Sequence, residues 1–185
     1  VPTPELPLTT SRLVLRPFVP EDAEALYKIQ SREDVTKYLY WGPRTREEVR
    51  QVVADRMTFT TLNDVGDRIV LAVQLRATGE LLGDVNLGLV SAEHRTGEIG
   101  YIFHPDHHGH GYANEAALEI LRVGFEVIGL HRIVARLDAD NTASANLAER
   151  LGMRKEAHFR KNEFVQGRWA DEAVYALLAE EWKAR

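Results

Sequence analysis

The chain has 185 residues, 44% of them hydrophobic and 28% charged, a length and balance that suit one globular domain whose core closes without metal or disulfide help. It has no cysteine, which excludes a disulfide framework, a thiolate zinc site and a cysteine nucleophile. A net charge of −5 and a pI near 5.8 argue against a general nucleic-acid surface.

Residues 1–10, most plainly Val1 to Pro7, read as a loose N-terminal arm. The start, Val1-Pro2-Thr3-Pro4, lacks the features of a signal peptide. No apolar run approaches the roughly 18 residues of a membrane span, so a cytoplasmic location without membrane contact is expected. Leu13 to Phe18 alternates and predicts a first strand. Pro20-Glu21-Asp22 opens a helix to about Ser31, with acidic residues in its first turn. The aromatic connection Tyr38-Leu39-Tyr40-Trp41-Gly42-Pro43 has two readings, a core plug between helices or the wall of a pocket. Thr45-Arg46-Glu47-Glu48 has the Thr-x-x-Glu pattern of a capping box, and a helix is expected to follow to about Leu62.

Ile69–Gln74 and Leu81–Leu89 read as strands joined by the turn Ala77-Thr78-Gly79-Glu80. Glu98–Phe103 is a further strand. It stops at His104-Pro105, two glycines spaced by one residue follow (Gly109 and Gly111), and from Ala113 a helix runs to about Ile128. Strand, glycine loop and helix together make a place for a phosphate. Amides at a helix start have no partner within the helix, the macrodipole adds about half a positive charge there, and the glycines permit a close backbone approach. His131–Leu137 reads as another strand, Asn141 as the N-cap of a short helix ended by Gly152, and Arg154–Lys161 with Arg168–Leu178 as a final hairpin. The whole predicts an α/β (α+β) mixed sheet with helices.

The central loop and Asn141-Thr142-Ala143-Ser144-Ala145-Asn146-Leu147-Ala148-Glu149-Arg150-Leu151-Gly152-Met153 follow one another about thirty residues apart. The pair resembles the GNAT superfamily of acyl-CoA-dependent N-acetyltransferases, and within it the RimJ/RimL-like type that acetylates the N-terminal alanine or serine of ribosomal proteins. The order of elements is similar over almost the whole chain, so the resemblance implies a single GNAT domain over residues 1–185. It implies a mixed, mostly antiparallel sheet of about seven strands, about four helices and a splayed strand pair.

The family's loop pattern, Gln/Arg-x-x-Gly-x-Gly/Ala, is matched by His108-Gly109-His110-Gly111-Tyr112-Ala113 except that His108 replaces the first residue. The resemblance implies that this loop binds the pyrophosphate of acetyl-CoA, that the pantetheine arm lies along Ile102 and Phe103 like an added strand, and that Asn141 reaches the same arm. It places Glu98 as the base at the start of that strand; its other reading is a salt-bridged glutamate at a sheet edge. Many members offer a tyrosine to the leaving thiolate at the position of Ala148. Ser144, one turn earlier, resembles the serine that replaces it and would contact the sulfur, and Tyr101 and Tyr112 are alternative donors. Tyr40, Trp41, Glu98 and Phe164 are the expected acceptor-site residues, with Gln166 and Trp169 in the same hairpin.

His104, Asp106, His107, His108 and His110 invite a metal reading. Their order does not fit a metallo-hydrolase loop, and no metal is expected. The basic run Arg154, Lys155, His158, Arg160 and Lys161 reads as a solvated strand face, and Asp171 with Tyr175 as a structural or functional pair. Acyl transfer to an amine by direct attack in a ternary complex is the mechanism that needs no cysteine. The expected acceptor is a protein or peptide N-terminal α-amine. A small amine (polyamine, amino acid or aminoglycoside), a larger acyl donor and a non-catalytic acyl-CoA-binding module are the alternatives, and a homodimer is open.

Overall fold

The computed structural model describes residues 2–185, and its strands form one eight-stranded sheet. The strands are β1 (Leu8–Thr9), β2 (Leu13–Arg16), β3 (Arg68–Leu75), β4 (Leu81–Ser91), β5 (Thr96–Phe103), β6 (Arg132–Asp138), β7 (Arg154–Val165) and β8 (Arg168–Leu178). Their spatial order is β1-β2-β3-β4-β5-β6-β8-β7. Every neighbouring pair is antiparallel except β5 with β6. The helices are α1 (Ala23–Gln30), α2 (Glu33–Thr36), α3 (Arg46–Arg56), α4 (Tyr112–Arg122), α5 (Thr142–Arg150) and α6 (Ala179–Lys183).

Alternation along β5 divides the molecule. Ile99 and Phe103 point into the main core with Leu87, Ile120 and Ile133, under α4 and α5. Ile102 faces the smaller cluster of Phe18, Leu26, Ile29, Val49 and Val53, under α1 and α3. One parallel pair at the middle of the sheet therefore has a helical layer on each side.

The parallel β5–β6 pair is short. Its register runs Thr96↔Arg132, Gly97↔Ile133 and Glu98↔Val134 and then stops, while β5 stays paired to β4 as far as Phe103 and β6 to β8 as far as Asp138. Two strands held apart by their outer partners leave a V between them. The β5 edge facing β6 has no strand partner from Ile99 onward.

Several expected boundaries move. The N-terminal arm is not loose throughout: Leu8 and Thr9 pair with Leu15 and Val14, and Pro4 and Leu8 are buried. This adds an eighth strand to the expected seven. The helix of the capping box keeps its start, with the Thr45 hydroxyl accepting from the Glu48 amide, but ends at Arg56 rather than Leu62. The β-branched Thr58, Thr60 and Thr61 favour extended backbone, and Thr60 bridges to Ile69. The helix expected over Pro20–Ser31 opens with a 3₁₀ turn, and the short α2 and α6 bring the helices to six against the expected four.

Candidate active site

A cavity of about 420 Å³ opens at the V. Glu98, Gly100 and Ile102 of β5 form its floor, Ala135 to Asp138 of β6 one side, Asn141 and Ser144 the far end, and Tyr38 to Trp41 the near wall. Of its two readings, the aromatic connection thus forms a pocket wall, with Tyr40 and Trp41 among the lining residues.

Glu98 sits at the last paired position, where the V begins. Burial pushes its carboxyl above the ordinary carboxylate value. Arg136, whose Nε lies 3.6 Å away, and Arg68 oppose that shift, while Glu163 adds to it. Behind Arg136 stands Glu172, 3.2 Å away, buried and likewise raised, by burial first and then by Glu163. Glu163 accepts from the Tyr40 hydroxyl at 3.0 Å. Arg136, Glu163 and Glu172 were not among the residues singled out by sequence; Arg136 lies inside an expected strand, but its neighbours come from distant segments.

Ser144 lies in the first turn of α5. The Asn141 side-chain oxygen caps this helix by accepting from the Ser144 amide at 3.1 Å, so the part of Asn141 left for a ligand is its amide group. Tyr101 donates its hydroxyl to the Ser144 carbonyl at 3.1 Å and so pins α5 to β5, and burial raises the pKa of that phenol. The Ser144 hydroxyl has no protein partner among the described residues. Ala148 is fully buried in the core, and no tyrosine occupies that position.

At the other end of β5, His104 to His108 make a 3₁₀ turn, and Gly109 and Gly111 both have φ +79°. Gly111 is the N-cap of α4, in the left-handed region where a side chain is strained. Among the described residues the amides of Gly109, His110 and Gly111 find no protein acceptor, and those of the first turn of α4 have none by helix geometry. Unpaired amides along a glycine loop that leads into a helix start fit a diphosphate. The unpartnered β5 edge, including the backbone of Ile102 and Phe103, fits an amide-bearing arm. The Phe103 side chain itself is buried in the core.

His108 and His110 are exposed; His110 stacks on Tyr112 at 5.5 Å, which places Tyr112 in packing, away from the cavity. His104 Nδ1 accepts from the Asp106 amide, and His107 lies 3.3 Å from Glu80. Among the described residues no three metal-ligating side chains converge.

Arg12 and Glu115, which sequence reasoning did not single out, hold this loop. Arg12 donates to the His110 carbonyl at 2.8 Å and to Glu115 at 2.7 Å, and lies over the Tyr112 ring. Glu115 also accepts from the Thr10 hydroxyl and the Arg12 amide. Burial alone would raise the Glu115 carboxyl, but these donors outweigh it and hold it below its ordinary 4.5. The stabilisation is therefore whole above that value and disappears as the pH falls through the lower folded one. Glu115→Gln is expected to cost roughly 1–2 kcal/mol at pH 7. It is also expected to flatten the fall of the melting temperature below pH 4.5, read by thermal melts from pH 3 to 7; a mutant melting curve with unchanged acid dependence would contradict it.

One expected acceptor residue is corrected. Phe164 does not line the cavity: it is exposed on the outer face of β7, edge-on to Trp169 at 5.2 Å, whereas its neighbours Glu163 and Val165 point inward. A period of two allows only one of these sets inside. Gln166, at the hairpin tip, adopts φ +48° and donates its side-chain amide to the carbonyls of Leu39 (2.7 Å), Thr36 (2.9 Å) and Trp41 (3.2 Å). A left-handed conformation is costly for a side chain such as glutamine. Here it lets one residue clasp the hairpin to the aromatic wall. Gln166→Ala is expected to raise the acceptor KM by up to about thirtyfold, since the two N–H groups shared among these three carbonyls make two full neutral hydrogen bonds at about 1 kcal/mol each. Coenzyme A affinity should change little; equal losses for both ligands would refute the clasp.

The remaining predicted residues do not line the cavity. Most of the basic run on β7 is exposed, with His158 bonded to Asp171 at 2.7 Å. Tyr175 is buried in the main core. No helix among the described residues is long and apolar enough to cross a membrane.

A sheet splayed at one parallel pair, with an unpaired amide cradle at a helix mouth and a carboxylate at the crotch of the V, is the arrangement of an acyltransferase that carries its donor between two strands. The family model described as an acetyltransferase (GNAT) domain matches residues 12–154. The chain is 36% identical over 175 residues to the uncharacterized N-acetyltransferase YnaD of Bacillus subtilis, covering 95% of this chain and 98% of that one. Among solved structures, a GNAT-family acetyltransferase from Bacillus anthracis superposes with a TM-score of 0.85 at 35% identity, over 95% of this chain and all of the other. The spermidine N-acetyltransferase of Vibrio cholerae, solved with CoA and spermine, gives a TM-score of 0.77 at 22% identity, over 94% of this chain and 99% of the other, a likeness of fold. The chain belongs to the GNAT family and is an acetyl-CoA-dependent N-acetyltransferase.

Proposed function

We propose that this enzyme acetylates an α-amine by direct attack in a ternary complex. The observation that carries the reading is the place of Glu98, a carboxylate with a raised pKa at the point where the V opens into the cavity. Acetyl-CoA supplies an activated acetyl thioester, for which the Gly109–Ala113 amides and the β5 edge form the cradle. Glu98, directly or through a water, takes the proton that the attacking ammonium must lose. As the nitrogen–carbon bond forms and the carbon–sulfur bond breaks, the Ser144 hydroxyl hydrogen-bonds the departing thiolate, which takes up the second proton lost by the nitrogen and leaves as the thiol.

The charge of the cavity favours an α-amine over a polyamine. Its lining includes Arg44, Arg56, Arg68 and Arg136 as well as Asp55, Glu98, Asp138 and Glu163. A long polycation is served better by a uniformly acidic cleft. A peptide N-terminus, as in the RimJ/RimL-like type, and a free amino acid both fit an α-amine site. Thiol release across amino acids, peptides beginning with Ala, Ser or Met, and polyamines tests the assignment. Turnover restricted to α-amines is expected, and preferential turnover of spermidine would overturn it.

A further inference from the structure

The sheet register builds a second recognition element beside Glu98. Arg68 on β3, Gly88 on β4 and Glu98 on β5 lie opposite one another across three strands. Residues in one such row share a face, and two strand spacings set Arg68 and Glu98 about 10 Å apart at the backbone. Between them Gly88 contributes no side chain, so within this row nothing from β4 stands between two ends of opposite charge. In the next row Asn86 lies over Gly100, where an added Cβ would come within 2.6 Å of the Asn86 side-chain nitrogen.

The guanidinium groups lining the cavity differ in how they are answered. Arg56 bonds Asp84 at 2.8 Å, and Arg136 meets Glu98 and Glu172. Arg44 is partly buried, lies flat on the Trp41 ring at 3.6 Å, and donates to the Gln30 side-chain oxygen at 2.8 Å. Among the described residues neither the half-buried Arg44 nor Arg68, which is exposed and acts on Glu98 only at longer range, has a carboxylate within salt-bridge distance. A guanidinium fork that no carboxylate pairs with can receive one from a ligand, and pairs bidentately with planar oxyanions.

We propose that the acceptor is a free α-amino acid whose amine lies at Glu98 while its carboxylate is received by Arg68, with Arg44 as the second cation. This deepens the acetyltransferase reading and rests on it. A polyamine would set a second ammonium against Arg68. A peptide N-terminus offers only a neutral carbonyl beside its amine, which leaves both cations unanswered.

The test measures thiol release from acetyl-CoA with each common amino acid, its carboxamide and its decarboxylated amine, together with peptides beginning with Ala, Ser or Met. For the best amino acid, kcat/KM is expected to exceed that of its carboxamide at least tenfold. In Arg68→Gln that ratio should collapse toward one, with Arg68→Lys between, and Arg44→Gln should shrink it in part. Carboxamides, decarboxylated amines or peptides turned over as well as the free acid would overturn the proposal and leave the transferase reading standing. So would an Arg68→Gln enzyme that keeps the wild-type ratio. No thiol release with any amine would sink the transferase reading as well.

Discussion

Glu98→Gln is expected to lower kcat by on the order of 10²-fold or more, the span that a positioned general base contributes. Glutamine keeps the length of the side chain and its reach toward Arg136 but takes no proton. The residual rate is that of two reactants merely held in line. The pH profile separates this role from a structural one. Burial, reinforced by Glu163 and opposed by Arg136 and Arg68, holds Glu98 above its ordinary 4.5. The ionised form is the base, so kcat in the wild type should fall as the pH drops through a value above 4.5. In Glu98→Gln that limb should vanish. A mutant within threefold of the wild type, or one that keeps the acid limb, would assign the carboxylate to the Arg136 ion pair alone.

Gly111→Val is the counterpart at the donor end. At φ +79° residue 111 is the left-handed N-cap from which the first turn of α4, with its unpaired amides, begins. A β-branched side chain there is strained by about 1–2 kcal/mol or more, and its Cβ would lie 3.4 Å from the Arg12 guanidinium that braces the loop. The cheapest escape is for the loop to leave the left-handed conformation, which scatters the amides. Coenzyme A should then bind at least tenfold more weakly by titration calorimetry, while far-UV circular dichroism stays that of the wild type. Unaltered affinity would mean that the nucleotide is held elsewhere.

Local signals carried far into this fold. Gly109 and Gly111 between a β-favouring run and a helix define the cradle without reference to any distant residue, and the Thr45 capping box and the Asn141 cap mark true helix starts. What stayed hidden is non-local. The row Arg68, Gly88, Glu98 exists only once the register of three strands is fixed, and no pattern within one segment encodes it. The hairpin that carries Phe164 does border the pocket, but a choice between odd and even positions puts Glu163 there instead. The N-terminal arm reads as loose because chain ends usually are, but Thr10 and Arg12 are tied to Glu115, more than a hundred residues along the chain. The end of α3 at Arg56 is tertiary too, since Phe59 packs beneath the smaller core and Thr60 bridges to β3.

The central claim is that the V between β5 and β6 and the amides at the mouth of α4 form one donor site. A crystal structure with coenzyme A tests it most directly. The diphosphate should lie within hydrogen-bonding distance of the amides of Gly109 to Ala113, with the pantetheine arm along Gly100 to Phe103 and the sulfur near Ser144. A nucleotide bound away from that loop, or an arm that leaves the β5 edge bare, would contradict it.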